Sequence, residues 1–163
     1  MARSRLEGAL IVAMMISLLW TPFCALAGAT ALVRLARWRL WALRRRPDLL
    51  CLASGYAWLA LGLVAFGAAA ALGRYEAQAV HLITVGAIGT LTFNVMALSW
   101  LRTRRSDPAR EPLIFAGTAL LAAAAVLRAG FSNYAGAALC WSLAFALLLA
   151  IFLKRRKDGP LSR

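Results

Sequence analysis

The sequence predicts an all-α, polytopic transmembrane helical bundle, and three observations carry that expectation. First, 63% of the 163 residues are hydrophobic and the mean hydropathy is +0.73, well above the roughly half-apolar composition of a soluble domain. Second, the apolar residues fall in blocks close to the ~20 residues that cross a bilayer as helix. They show no alternation in segments of about ten residues, which excludes a membrane barrel. Third, the charges avoid the blocks: Glu7, Asp48, Glu76, Asp107, Glu111 and Asp158 all lie at block ends or between blocks. In lipid the backbone must satisfy its own polar groups, so such blocks form helices.

About five spans follow within a single transmembrane domain, 1–163. The first, 8–33, is a long apolar run. It begins after Arg3 and Arg5 and carries Ala25-Leu26-Ala27 near its end, which also resembles a signal peptide, but it continues far enough to span. The second, 49–72, carries Tyr56 and Trp58, suited to helix packing or an interfacial belt. The third, 79–101, carries the only histidine and several small and polar residues. The fourth, 113–129, is rich in alanine (Ala116, Ala119, Ala122 to Ala125), which offers a smooth surface for close packing. The fifth is 134–153. Short connections make consecutive helices antiparallel neighbours. Between the first two spans, 34–46 reads as a basic amphipathic segment: Leu35, Trp38, Trp41 and Ala42 share a face among six arginines, and Pro47 ends it.

The net charge of +13 sets topology. Segment 34–46, the loop from Arg102 to Arg110 and the tail from Lys154 hold most of the 19 basic residues. With five spans these regions share one face, the cytoplasmic one, giving N-terminus out and C-terminus in. Arg3 and Arg5 pull the other way, which suggests a chain that once continued upstream or one with an N-terminal partner. Anionic lipid headgroups are the expected partners of this charge. Nucleic acid is not, because the basic runs lack interleaved glycines and aromatics. Cys24, Cys51 and Cys140 are scattered and form no Cys-x-x-Cys, as expected of buried apolar thiols.

The signs of an enzyme are absent from the sequence. No nucleotide-binding glycine loop occurs, and no nucleophile has a base beside it. What remains is the segment His81 to Met96. His81 stands at its outer end, with Thr84 and Val85 one turn later on the same face. Its imidazole is suited to haem iron or copper, or to a hydrogen bond with a loop. Gly86 and Gly89 permit close approach of a neighbour, so His81, Thr84, Gly86 and Gly89 form the candidate site. A different function also fits: a non-catalytic bundle that binds no cofactor and uses the Gly86/Gly89 face and the fourth span to pair with a second copy or another membrane protein. Arg128, near the end of the fourth span, is placed to snorkel outward or to pair with a haem propionate.

The segment resembles a known signature. His81, Thr84, Val85, Gly86, Ala87, Ile88, Gly89, Thr92, Val95 and Met96 are similar to the signature helix of the NnrS family of bacterial membrane proteins. Pro47, Leu49, Leu50, Gly55, Tyr56, Ala57, Trp58, Leu59, Leu61 and Gly62 resemble the helix before it, and Asp158-Gly159 resembles the family's closing pair. Order and spacing agree from about residue 30 onward, with the C-terminal part of longer family members. The resemblance implies a multi-pass protein of the bacterial inner membrane that binds haem b and copper. It also implies a role in denitrification or in the response to nitric oxide and nitrosative stress. It makes His81 the metal ligand. Two further family histidines fall at Ala53 and Thr103, which leaves one imidazole for any metal.

Overall fold

The computed structural model describes residues 2–38, 46–74 and 77–154, and among them every regular element is helical. In chain order these are α1 (Ala2–Leu19), α2 (Cys24–Ala36), α3 (Pro47–Ala71), α4 (Ala77–His81), a π-helical segment (Leu82–Gly89), α5 (Thr90–Thr103), α6 (Pro112–Gly130) and α7 (Tyr134–Leu153). The segment from α4 to α5 is one continuous rod, Ala77–Thr103. This rod, α3, α6 and α7 are long and apolar enough to cross a membrane. Local chemistry sets their ends. Pro47 and Pro112 open α3 and α6, where a missing N–H costs nothing. The Asn133 side chain caps α7 by accepting from the Gly136 N–H at 2.9 Å.

The first expected span, 8–33, is corrected. It is a hairpin of two shorter helices, with a 3₁₀ turn at Thr21–Phe23 between them. The break falls at Trp20, which is extended, at φ −151° and ψ 111°, and Pro22 stands in the first turn of the new 3₁₀ helix, where its missing N–H is tolerated. The chain then doubles back. Arg34 at the end of α2 meets Glu7 near the start of α1 at 3.5 Å, and Leu10 packs with Ala31 and Ala60.

The hairpin also brings the start of the described chain to one end of the bundle. The first turns of α1 lie beside the end of α2, and Trp38 just beyond it stacks on Tyr56 of α3 at 5.1 Å. The start of α3 adjoins the loop after α5, and that loop's Glu111 binds Lys154 at the end of α7. Both described ends of the chain therefore sit at one end of the bundle, with the basic loops. Arg3 and Arg5 lie at the start of α1. Most of the expected amphipathic segment 34–46 and of the basic tail lies outside the described residues.

Packing follows residue size. Between α2 and α3 the backbones touch: a Cβ on Gly28 would lie 2.6 Å from the Ala60 carbonyl oxygen. Between α5, α6 and α7 the core is large and closed, built from Phe93, Ile114, Leu121, Leu148 and Ile151 with Cys51 of α3. Gly117 makes room there for the Phe93 ring, which a Cβ would overlap. One polar pair lies inside this core. The Asn94 amide donates to the Thr90 carbonyl at 2.9 Å and to the Thr118 hydroxyl at 3.0 Å, an interhelical bond of the kind that glues membrane helices.

Charges at the basic end are locked into the fold. Asp48 is fully buried, and Arg46 donates to both its oxygens, at 3.1 and 2.9 Å. The hydrogen bond and then the charge of Asp48 raise the Arg46 guanidinium above its ordinary pKa. Lys154 donates to the buried Glu111 at 2.7 Å. Arg104 lies over the Trp100 ring and donates to the Lys154 carbonyl at 3.3 Å.

Candidate functional site

The opposite end of the rod is built differently. Immediately after His81 the helix widens into a π-helical stretch of eight residues, Leu82–Gly89. A π turn bonds each N–H one residue further back than an α turn does, so it mismatches its neighbours, and such stretches concentrate at functional sites. The Thr84 hydroxyl helps to satisfy the backbone here, donating to the Val80 carbonyl at 3.0 Å. Two close contacts hold the wide turn in place. Gly86 is buried against Trp58 of α3, whose ring a Cβ would approach at 3.1 Å. Gly89 is buried against α6 and α7, where a Cβ would sit 3.5 Å from Leu121 and 3.7 Å from the Trp141 indole nitrogen.

The two glycines thus face different neighbours. The Gly86 surface is occupied by this chain's own Trp58. His81 is half-buried, and among the described residues its imidazole makes no hydrogen bond. Among the described residues the loop bond open to it on sequence grounds is not formed.

Beside His81 lies a cavity of about 300 Å³, lined by Val85, Arg128, Tyr134, Ala137, Ala138, Trp141 and Ser142. Val85 belongs to the turn after His81, and Arg128 is the cation within electrostatic reach of the imidazole. The volume is at the lower end of the range for small-molecule pockets. The walls are mostly apolar, with one cation, Arg128, and two hydroxyl-bearing residues, Tyr134 and Ser142. The guanidinium of Arg128 stacks on Tyr134, its carbon 3.8 Å from the ring centroid. Tyr134, Ala137, Ala138, Trp141 and Ser142 recur at helical spacing, so one stripe of α7 forms a wall. Sequence reasoning singled out Arg128 but not Tyr134, Trp141 or Ser142. Their signal was present as two aromatics separated by small residues along a single helix face.

Residues 3–155, nearly the whole chain, match the protein family described as NnrS protein. The chain belongs to the NnrS family. The match includes the hairpin before residue 30, where no resemblance is evident from the residues themselves. No curated protein and no solved structure matches this chain. Membership and the four long apolar helices make this NnrS chain a multi-pass membrane protein.

The family's two cofactors fit the structure unequally. Among the described residues no group of three histidine, cysteine, aspartate or glutamate side chains could hold a metal ion. Copper takes several protein donors, and the described side chains alone do not bring such a set together. Haem needs less, because the porphyrin supplies four nitrogens and one imidazole suffices as an axial ligand. His81, without a hydrogen bond among the described residues, offers that one imidazole, while the cavity is lined from the turn after it onward and not by His81 itself.

Proposed function

We propose that this NnrS chain binds haem through His81 at the end of the bundle remote from the basic loops, and acts in the bacterial inner membrane in the response to nitric oxide or nitrosative stress. One observation carries the proposal. The only histidine, with no hydrogen bond among the described residues, borders the π-helical turn of the family's signature helix and lies beside an apolar cavity.

The residues divide the work. His81 supplies the axial nitrogen. Val85, Ala137, Ala138 and Trp141 exclude water from the macrocycle face. Gly89 leaves space beside Trp141, and Gly86 anchors the wide turn on Trp58. Thr84 serves the backbone rather than a cofactor, because its hydroxyl is bonded to Val80. Haem held there by His81 would supply an iron able to take up a diatomic gas. Covalent chemistry on the gas is not part of the proposal, since no nucleophile or acid–base pair accompanies the site.

The test is the haem and copper content of detergent-purified protein beside His81→Ala. One haem per chain in the parent and none in a folded variant supports the proposal. Equal haem in both, or none in either, contradicts it, and the cofactor-free bundle then becomes the better account.

A further inference from the structure

We infer that the cavity between the rod, α6 and α7 seats one anionic phospholipid, with its phosphate on Arg128 and the upper part of one acyl chain against α7. The inference stands apart from the haem reading and concerns a different ligand.

The cavity separates its polar and apolar groups along the helix direction. Arg128 in the last turn of α6 and Tyr134 in the first turn of α7 stand at one end of it. From there Ala137, Ala138, Trp141 and Ser142 carry the wall down α7, over ~12 Å of helix at ~1.5 Å per residue. A lipid is ordered in the same way, with charge at the surface and hydrocarbon within. The cavity also opens outward. Tyr134 is 64% and Trp141 44% exposed, and Ala138 and Ser142 are exposed beside them, while buried Ala137 and half-buried Val85 lie on the inner side. On a helix that crosses the membrane, such a face is turned to the bilayer, where lipid is the solvent. The volume of about 300 Å³ admits part of one lipid, and the rest of the chain runs on into the bilayer.

Charge then selects the headgroup. An arginine that only snorkels extends past the helix end toward water. Arg128 instead lies on Tyr134, its guanidinium carbon 3.8 Å from the ring centroid, and forms part of the wall. Stacking occupies the flat face of a guanidinium and leaves its in-plane N–H donors in the fork that matches a phosphate. Among the described residues Arg128 has no carboxylate partner: the ion pairs there use Arg34, Arg46, Arg110 and Lys154. No carboxylate lines the cavity either, so the ammonium of a zwitterionic headgroup finds no counter-charge there.

The experiment is native mass spectrometry of the full chain in neutral detergent, titrated with phosphatidylglycerol and separately with phosphatidylethanolamine. Mass distinguishes bound lipid from haem, so the result does not turn on the haem reading. The variants are Arg128→Gln, Arg128→Lys, Ala138→Phe and, at the basic end, Arg110→Gln, with helix content checked by circular dichroism. The parent should hold one phosphatidylglycerol more tightly than phosphatidylethanolamine. Loss of the charge-assisted pair should weaken that binding by ~10-fold or more in Arg128→Gln. Arg128→Lys should recover part of it, because it keeps the charge and loses the fork. Ala138→Phe keeps the charge and fills the cavity, so it should weaken binding too, whereas Arg110→Gln should not. Equal binding of phosphatidylglycerol by the parent and Arg128→Gln would overturn the inference, as would equal binding of the two lipids by the parent. Undiminished binding by Ala138→Phe would place the chain elsewhere and overturn it as well. So would displacement of the lipid by an equal concentration of glycerol phosphate, which would mark a site for a free phosphate. If Arg128→Gln does not fold, Arg128→Lys and Ala138→Phe decide: binding by both equal to the parent's overturns the inference.

Discussion

The two ends of this bundle treat their charged groups differently. At the basic end, buried Asp48 takes both donors of Arg46, buried Glu111 takes Lys154 through one oxygen, and Arg104 lies on Trp100. At the other end, among the described residues, His81 makes no hydrogen bond, Arg128 has no carboxylate partner, and the helix is widened. The buried side-chain atoms without a partner among the described residues are Tyr56 Oη, Thr90 Oγ1, Trp100 Nε1 and Glu111 Oε1, none of which lines the cavity. The comparison separates residues that set stability from residues that set binding, and each variant below tests on which side a residue falls.

The largest stability effect should come from Arg46→Ala. It leaves the fully buried Asp48 carboxylate without its partner, which lowers the stability of the folded state. Unfolding of purified protein in detergent should show that loss, while haem per folded chain stays unchanged. A loss of haem would show that the two ends are coupled. Gly117→Val should follow. Its new side chain meets the Phe93 ring in the closed core, and overpacking of this kind costs about 2 kcal/mol. A melting temperature equal to the parent's would mean that the core is looser than the contacts indicate. Asn94→Leu removes the hydrogen bond to Thr118 and should cost about 1 kcal/mol, in line with interhelical bonds in membranes. A double-mutant cycle with Thr118→Val should give a coupling of similar size. Glu7→Gln is the smallest change. The Glu7–Arg34 pair is long and partly exposed, so its loss should shift stability by less than ~0.5 kcal/mol. A larger shift would make that pair a main support of the hairpin.

Much of the fold was legible because lipid imposes a coarse requirement. Apolar blocks such as 134–153 have one helical solution, and α7 occupies those residues. The hairpin was not read from hydropathy, because 8–33 is apolar on both sides of its break. The signal was local: Pro22 interrupts the run, and Arg3 and Arg5 sit awkwardly if the first helix crosses once. At the candidate site, His81, Gly86 and Gly89 stood out by type. Their neighbours did not, because which helix meets which face is set by packing over the whole bundle. Gly86 facing Trp58 and Gly89 facing Trp141 follow from the rotation of the rod between α3 and α7. The π-helical stretch was equally hidden: no residue type in Leu82–Gly89 demands it, and tertiary contacts sustain it.

The most direct test of the central claim is an absorption spectrum of the purified protein and of His81→Ala, each recorded with and without nitric oxide. The account predicts a Soret band in the parent that shifts on adding the gas. It predicts no band in a His81→Ala protein whose stability lies within ~0.5 kcal/mol of the parent's, as for other changes outside a closed core. A band of equal strength in both proteins, or a parent band that nitric oxide does not move, would contradict it.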